Sequence, residues 1–286
     1  MKTTIVTMLA GAAVLLGYST AWAQLTAARN APVAYGHHHI SATDIAAHKR
    51  FWADTLGGTA IKVGTSTTEI VRFPNVLVFL ADRASTGGTK GTSVNHVGFW
   101  VPNIRAAVDK AKAAGYPIVT RAELPPSIEV ADDLGHIVDQ NTYVAFVMGP
   151  DETKVEFVEN KTMKEPIALH HIHFAAPDVD AMQAWYAKVF DAKPGMRGSF
   201  KAADLPGVNL TYSPSADPVV PTRGRALDHI GFEVDNLEAF CKRLESMGIT
   251  LDRPYTRVEA LNIAIAFITD PWGTYIELTE GLDQVP

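Results

Sequence analysis

The sequence contains little cysteine and no excess of basic residues. Cys241 is the one thiol among 286 residues, which excludes an intramolecular disulfide and leaves stability to the hydrophobic cores. Lysine and arginine number 25 against 31 aspartates and glutamates, a formal net charge of −6 at pH 7. Because nucleic acids are bound through clustered basic side chains, this balance argues against a nucleic-acid partner.

Long apolar runs are also absent beyond the N-terminus. The segment MKTTIVTMLAGAAVLLGYSTAWA has Lys2 as its charged start, an apolar run of about 14 residues that is too short to span a bilayer, and Ala21-Trp22-Ala23 as a cleavage motif. This pattern predicts a signal peptide over residues 1–23, a linker over 24–36, and a periplasmic or secreted protein. Without Lys2 the net charge becomes −7. No cysteine follows the apolar run, so no membrane attachment is expected after signal removal.

What the sequence does contain is a repeat. Four segments begin with a histidine that stands seven positions before an Asp or Asn: HHHISATD (37–44), HVGFWVPN (96–103), HIHFAAPD (171–178) and HIGFEVDN (229–236). Alternating apolar residues in these segments are typical of a strand, and the closing Asp or Asn suits a helix N-cap. The self-similarity predicts four copies of one structural unit.

Each copy continues in the same order. A helix-length amphipathic run follows the cap and ends at glycine, as in IRAAVDKAKAAG and LEAFCKRLESMG, and strand-like segments come next. This order predicts four βαβββ units. The unit-initial histidines lie 59 residues apart in the first pair and 58 in the second, which indicates a duplicated module. We place the first module at residues 37–163 and the second at 167–286, with the polar stretch ENKTMKEPIA between them.

These features resemble the vicinal oxygen chelate superfamily, which includes glyoxalase I, bleomycin resistance proteins and extradiol dioxygenases. The resemblance rests on the strand-initial histidines, the aromatic-rich helix ends FWADTLGG and WYAKVFDA, and the closing segment DPWGTYIEL. It implies an α+β fold in which four βαβββ units form two half-open cups of mixed sheet. It also implies that the strand-initial histidine and a closing-strand glutamate are metal ligands.

Carried onto this chain, the resemblance places Glu277 of DPWGTYIEL and Glu156 of GPDETKVEF at the glutamate position. If each module closes its own cup, the predicted metal sites are His37, His96 and Glu156, and His171, His229 and Glu277. If the units exchange partners, His37 joins His229 and Glu277, while His171 joins His96 and Glu156. Both groupings preserve the ligand count, so the sequence leaves the pairing open.

The position of a possible fourth ligand falls near Leu77 in the first module and near Asn209 in the second. Neither residue is the second carboxylate that glyoxalase I has there. Two histidines and one glutamate form the facial triad of non-haem Fe(II) oxygenases, so we expect a divalent metal ion, with Fe²⁺ favoured over Mn²⁺, Zn²⁺ or Ni²⁺. Such an ion acts as a Lewis acid that chelates two adjacent substrate oxygens.

Histidines next to the predicted ligands have two interpretations. Strand alternation places His39 on the side of His37, and His173 on the side of His171, whereas His38 and His170 point away. His39 and His173 are therefore candidate catalytic residues for proton transfer or substrate binding. The alternative is that both are packed histidines without a chemical role.

The connection RAELPPSIEVADDLGHIVDQ distinguishes the first module. It lengthens the path from histidine to glutamate to 60 residues, against 48 in the second module. A proline-containing insertion of this length is either a lid over the cup or a plain surface loop.

Two function classes follow from the sequence. The first is a metal-dependent enzyme, either a dioxygenase or a lyase or isomerase, that acts on a small molecule with vicinal oxygens. The alternative is a metal-free protein that binds or sequesters a small molecule, as in the bleomycin-resistance branch. Two complete ligand sets favour the enzyme. Phe267 stands where extradiol enzymes have tyrosine, which argues against their usual ring-cleavage residues. We expect a monomer or a homodimer.

Overall fold

The structure is a computed structural model that describes residues 32–63 and 66–284. The predicted signal peptide and most of the predicted linker lie outside the described residues, so export stays a prediction. No helix in the described part of the chain is long and apolar enough to cross a membrane.

The first two units contain the predicted elements and some additions. Unit 1 consists of β1 (Val33–Ala42), α1 (Ile45–Lys49) with a π-helical continuation (Arg50–Thr55), β2 (Thr59–Ile61), β3 (Glu69–Phe73) and β4 (Val76–Asp82). Unit 2 consists of β5 (Val94–Val101), α2 (Ile104–Ala113), α3 (Thr120–Glu123), β6 (Val130–Ala131), β7 (Leu134–Ile137), β8 (Thr142–Met148) and β9 (Lys154–Glu159). Within unit 2, α3, β6 and β7 fall in the insertion, which therefore has regular structure.

The third and fourth units repeat the same order. Unit 3 consists of β10 (Ala168–Ala176), α4 (Val179–Phe190), β11 (Lys193–Arg197), β12 (Phe200–Leu205) and β13 (Val208–Pro214). Unit 4 consists of β14 (Leu227–Val234), α5 (Leu237–Ser246), β15 (Leu251–Val258), β16 (Ile263–Thr269) and β17 (Tyr275–Glu280).

The predicted N-caps are confirmed in all four units. Each capping side chain accepts a hydrogen bond from the backbone N–H three residues later, which satisfies one of the free donors at the helix start. The four capping residues are Asp44, Asn103, Asp178 and Asn236. The same side-chain chemistry therefore turns the chain from strand into helix in every repeat.

Two mixed sheets are formed, and the pairing of units is not the one that sequence adjacency suggests. The eight-stranded sheet has the order β15-β16-β17-β14-β1-β4-β3-β2, so unit 1 joins unit 4. The nine-stranded sheet has the order β11-β12-β13-β10-β5-β9-β8-β7-β6, so unit 2 joins unit 3. In each sheet the two strands that carry the unit-initial histidines run antiparallel side by side. The grouping in which each sequence-adjacent module closes its own cup is therefore wrong.

The two sheets are tied together by reciprocal contacts between unit 1 and unit 3. The side chain of Asn75, in the turn between β3 and β4, donates to the carbonyl of Leu169 and accepts from the N–H of Leu169. At the equivalent turn of unit 3, the Pro206 carbonyl accepts from the N–H of Tyr35. Helix residues Trp52 and Phe190 are fully buried in one continuous apolar cluster.

Candidate metal centres

Glu277 lies at the centre of the first cluster, between unit 1 and unit 4. Its Oε2 atom is 2.9 Å from Nε2 of His37, 3.0 Å from Nε2 of His229 and 3.6 Å from Nε2 of His39. His37 comes from β1, His229 from β14 and Glu277 from β17, three strands that are neighbours in the eight-stranded sheet. All four side chains can place one ligand atom within 4.8 Å of the others. We call this cluster the Glu277 centre.

His229 is oriented from behind by a charged pair. Its Nδ1–H donates to Oδ1 of Asp228 at 2.6 Å, and Oδ2 of Asp228 lies 2.8 Å from a guanidinium nitrogen of Arg83. Burial alone would lower the pKa of His229, but hydrogen bonds to Asp228 and Glu277 outweigh it and raise the pKa. Both ring nitrogens thus face carboxylate oxygens. Such an arrangement requires a positive charge at Nε2, from either a proton or a metal ion, and it matches the carboxylate support that metal-bound histidines commonly have.

His39 is the most exposed histidine of the Glu277 centre. Its side chain retains 21% of its exposure, against 1% for His37 and 7% for His229. The ring is stacked on Phe79, with 4.5 Å between centroids, and on His229, with 4.1 Å. Burial and the neighbouring His229 hold the pKa of His39 well below its ordinary value. His39 is therefore a neutral imidazole at the open side of the cluster.

The second cluster is built in the same way around Glu156, between unit 2 and unit 3. Oε2 of Glu156 is 2.9 Å from Nε2 of His96 and 2.9 Å from Nε2 of His171, and these two nitrogens are 3.4 Å apart. His173 completes the group within 4.8 Å. We call this cluster the Glu156 centre. Both clusters correspond to the grouping in which the units exchange partners.

The spacing in the Glu156 centre fits a metal ion. Ligands about 2.1 Å from a metal and at right angles to each other are about 3 Å apart. The three separations, 2.9, 2.9 and 3.4 Å, are close to that value. Nδ1 of His96 lies 2.9 Å from Oδ1 of Asn95 and Nδ1 of His171 lies 3.1 Å from Nδ1 of His170. When these Nδ1–H groups donate backwards, two Nε2 lone pairs and a carboxylate oxygen converge on one point, which suits a cation.

Two glycines make room for the buried histidine of each centre. A Cβ atom on Gly231 would lie 2.0 Å from Cε1 of His37, its partner across the β1–β14 ladder. A Cβ atom on Gly98 would lie 2.0 Å from Cε1 of His171 in the same way. The segments HVG (96–98) and HIG (229–231) thus each supply one histidine and, at the glycine, space for a ring from the opposite strand. The segments HHH (37–39) and HIH (171–173) each supply two histidines to a cluster, from their first and third positions. Sequence reasoning recorded the histidines and overlooked the glycines between them.

The structure also settles where the other histidines lie. His38 points away from the centre, as predicted, and its ring is buried beside Trp52 with Nδ1 3.2 Å from the Tyr35 hydroxyl. His170 was predicted to point away from the ligand His171, but it contacts the His171 ring and stacks on Trp100. The reason is a register shift between Leu169 and His171, which interrupts the alternation on which the prediction relied.

The candidate fourth-ligand positions contribute no carboxylate. Leu77 pairs with His37 across β1 and β4, and Asn209 pairs with His171 across β10 and β13. His39 and His173 lie two residues beyond the predicted ligands and take the fourth place in each cluster. The groups that could hold a metal ion are thus three histidines and one glutamate, one histidine more than the predicted triad.

A cavity of about 260 Å³ opens on the Glu277 centre. His37, His39 and Glu277 form one end of it, and its walls are largely apolar. The wall residues include Phe79, Val258, Leu261, Ile263, Ile265 and Leu282. A small organic molecule can therefore reach the cluster through a cavity whose apolar walls favour displacement of water.

Comparison with known proteins agrees with this architecture. A model of the Glyoxalase/Bleomycin resistance protein/Dioxygenase superfamily matches residues 34–127 and 169–278, which together make up most of the chain. The chain belongs to this superfamily. Each matched stretch contains two of the unit-initial histidines, and the second stretch also contains Glu277, whereas Glu156 lies between the two stretches.

Solved structures of the superfamily share the fold over most of this chain. Glyoxalase I from Zea mays superposes with a TM-score of 0.67 at 16% identity, covering 88% of this chain and 94% of that chain. A putative dioxygenase from Bacillus subtilis superposes with a TM-score of 0.61 at 14% identity, covering 86% and 85%. At these identities the similarity shows the fold alone.

Curated relatives match a shorter stretch. Lactoylglutathione lyases from Salmonella typhimurium and Salmonella typhi are 34% identical over 76 residues, which is 27% of this chain and 55% of theirs. The chain thus spans just over half the length of these superfamily members. The predicted two-cup α+β fold is confirmed by the topology and by these neighbours.

Proposed function

We propose that this protein is a divalent-metal-dependent enzyme that acts on a small molecule with vicinal oxygens, and that the Glu277 centre is its working site. The observation that carries this proposal is the convergence of two Nε2 atoms on one carboxylate oxygen at 2.9 and 3.0 Å, beside an open cavity. His37, His229 and Glu277 would hold the ion, and His39 would remain free beside it. We propose Fe²⁺, Mn²⁺, Zn²⁺ or Ni²⁺ as occupants, because imidazole and carboxylate donors suit all four.

The ion, when bound, supplies Lewis acidity that stabilises negative charge on adjacent substrate oxygens. The protein contributes position and proton transfer. Asp228 fixes the His229 ring, and Glu277 is held ionised, because hydrogen bonds from His229 and His37 lower its pKa well below the ordinary value although burial opposes this. His39, neutral and stacked on Phe79, is placed to accept a proton from a carbon next to the substrate oxygens and to return it.

We propose proton-transfer chemistry, as in a lyase or isomerase, ahead of oxygen insertion. Abstraction of a proton next to a carbonyl requires a base on the open side of the cluster, and His39 provides one where Leu77, the ladder partner of His37, offers no carboxylate. The names of the curated relatives, lactoylglutathione lyases, favour the same class. Dioxygenation with Fe²⁺ is the alternative, and export and a dimeric state remain proposals from the sequence.

The test is metal content and turnover of protein produced without a histidine tag. We expect one or two divalent ions per chain, turnover of an S-lactoyl thioester, and no oxygen uptake with catechols. Oxygen uptake would move the assignment to a dioxygenase. A reconstituted protein that holds no transition metal but binds a small ligand would replace the enzyme by a sequestering protein.

A second arm compares the two centres. Glu277→Ala should abolish turnover and remove one ion, whereas Glu156→Ala should remove the other ion and cost less activity, because the cavity described above opens on Glu277. Circular dichroism serves to check that both variants are folded. Full activity in the Glu277 variant together with loss in the Glu156 variant would reverse the assignment of the working site.

A further inference from the structure

The internal duplication allows the two cups to be compared position by position. Phe146 pairs with Glu156 as Phe267 pairs with Glu277. The strand pairing around the glutamate is therefore the same in both cups, so their wall residues can be compared at equivalent positions.

Arg197 is the main difference between the cups. It ends β11 directly opposite Phe200, whose ring contacts His173 at 5.4 Å between centroids, so its side chain lies on the cup face of the sheet. One guanidinium nitrogen donates to Oγ1 of Thr211 at 3.1 Å, and Thr211 is the ladder neighbour of His173. The Nε–H of Arg197 is buried without a hydrogen-bond partner among the described residues. The Arg197 guanidinium therefore has one N–H group available to a ligand beside the Glu156 centre.

Lys154 is a second buried cation in this cup, and its charge is already neutralised by an ion pair. Its side chain is 1% exposed, its ammonium group pairs with Glu123 of the insertion, and it lies 5.9 Å from the Phe146 ring centroid. Glu156 is bound to His96 and His171, and within the described residues Arg197 forms a hydrogen bond to Thr211 but no ion pair. The positive charge of Arg197 is thus left for a ligand.

The equivalent positions in the Glu277 cup are apolar. When the β2–β3 and β11–β12 hairpins are aligned on Thr59 and Lys193, Val63 takes the place of Arg197. Phe79 takes the place of Thr211, and Tyr275 takes the place of Lys154. These three residues belong to one apolar cluster that also contains Leu77, Ile263, Ile265 and Phe267.

Two polar groups of the Glu277 cup do not alter this contrast. Arg253 lines the cavity but is solvent-exposed, so its charge is screened. Thr279 stands where the other cup has Val158, but its hydroxyl is bonded to the carboxylate of Glu233 at 2.6 Å. Neither provides a buried donor that lacks a partner.

We propose that the Glu156 cup is a separate binding site for a compact carboxylate anion, held by the guanidinium of Arg197, whereas the Glu277 cup takes the less polar substrate. Carboxylates match the guanidinium geometry and form the stronger, charge-assisted class of hydrogen bond. The cup is also roofed: the turn at Gly198 lies against the side chains of Asp139 and Gln140, 2.8 and 2.6 Å from where a Cβ would be. A roof across the mouth favours a small ligand.

The test is isothermal titration calorimetry of metal-depleted protein with glycolate and with its neutral methyl ester. Metal depletion separates this proposal from the proposed function, since Arg197 needs no metal ion to bind an anion. We expect glycolate to bind wild-type protein at least about ten-fold more tightly than the ester, and Arg197→Gln to weaken glycolate binding by about ten-fold or more without affecting the ester.

Arg243→Gln is the matched control, because Arg243 is also a partly buried arginine with a hydrogen bond to a neighbour, the Val189 carbonyl, but lies on helix α5. It should bind glycolate as the wild type does. Equal glycolate affinity in Arg197→Gln and wild type would overturn the proposal. Should the Arg197 variant fail to fold, equal binding of glycolate and its ester by wild-type protein would overturn it as well.

Discussion

Replacement of Gly231 by alanine should damage the Glu277 centre without touching any ligand. The added Cβ would lie 2.0 Å from Cε1 of His37 and 2.3 Å from its Nδ1, well inside van der Waals contact. His37 is 1% exposed and flanked by the rings of Phe79 and His39, with centroids 5.2 and 5.3 Å away, so its ring has little room to withdraw. The ring must therefore shift together with its Nε2 atom.

The expected magnitude follows from the tolerance of metal coordination. A shift of roughly 1 Å or more relieves the clash, whereas ligand distances in metal sites hold to within about 0.2 Å. Overpacking of this kind costs about 1 to 3 kcal/mol of stability. Misplacing a ligand should weaken metal binding by at least about 10- to 100-fold, the range observed when residues that orient ligands are altered.

The assay is metal affinity measured by competition with a chromophoric chelator. Gly231→Ala should weaken the binding of one of two ions. Gly98→Ala should weaken the binding of the other ion by displacing His171, and the double variant should bind both ions more weakly. Gly195→Ala is the control, since nothing lies within 4 Å of the Cβ it would add. Wild-type affinity in the folded Gly231 variant would refute the reasoning, because the His37 ring would then not be part of a metal site.

Three further outcomes are expected. Asp228→Asn should weaken metal binding at the Glu277 centre by about ten-fold, because the His229 Nδ1–H loses a charged acceptor, and an unchanged affinity in the chelator assay would contradict this. Shortening the insertion between Pro125 and Asp139 should leave a cooperative thermal unfolding transition but speed release of glycolate from the Glu156 cup, whereas unchanged release kinetics would show that the insertion does not act as a lid. Burial raises the pKa of Glu233 to about 7 from its ordinary 4.5, against hydrogen bonds from Thr279 and Gly281 that lower it, so the folded protein holds a proton that the unfolded chain releases. The contribution of this carboxyl to stability should then be fully present below pH 4.5 and fall by about 3 kcal/mol as pH rises through 7, and urea unfolding at about pH 5 and pH 8 should show most of this loss as a difference between wild-type protein and Glu233→Gln.

Much of the fold could be predicted from the sequence because its signals are local. The caps at Asp44 and Asn236, the alternating strands and the fixed histidine spacing each depend on neighbouring residues only. These signals identified four units and the two glutamates that the structure brings to histidines. Their use as metal ligands stays a prediction.

The pairing of units could not be predicted, because two different pairings bring a strand with two histidines opposite a strand with a histidine and a glycine. Each centre needs one strand with two histidines opposite one strand with a histidine and a glycine, as His37 and His39 lie opposite Gly231 and His229. Units 1 and 3 supply the first kind of strand, and units 2 and 4 the second. Adjacent and exchanged pairings therefore satisfy the same local rule.

The fourth histidine of each cluster was predicted to be near the site but not to join the ligand group. Alternation indicates the side of a strand that His39 occupies, not how far its ring reaches toward Glu277. That distance depends on stacking against Phe79, from a strand more than 30 residues later in the chain. Arg197 was missed for the same reason, since its proximity to His173 depends on the pairing of the β11–β12 hairpin with β13 in the same sheet.

Metal stoichiometry of double variants tests the central claim most directly, namely that each ion is bound between units that are not adjacent in sequence. His37→Ala combined with Glu277→Ala removes two ligands of one centre, so this protein should retain one ion per chain at the Glu156 centre. His37→Ala combined with Glu156→Ala damages both centres and should retain none. Elemental analysis of the two folded proteins after identical reconstitution gives the answer. One ion in the His37/Glu156 variant and none in the His37/Glu277 variant would contradict the account and return the sites to sequence-adjacent units.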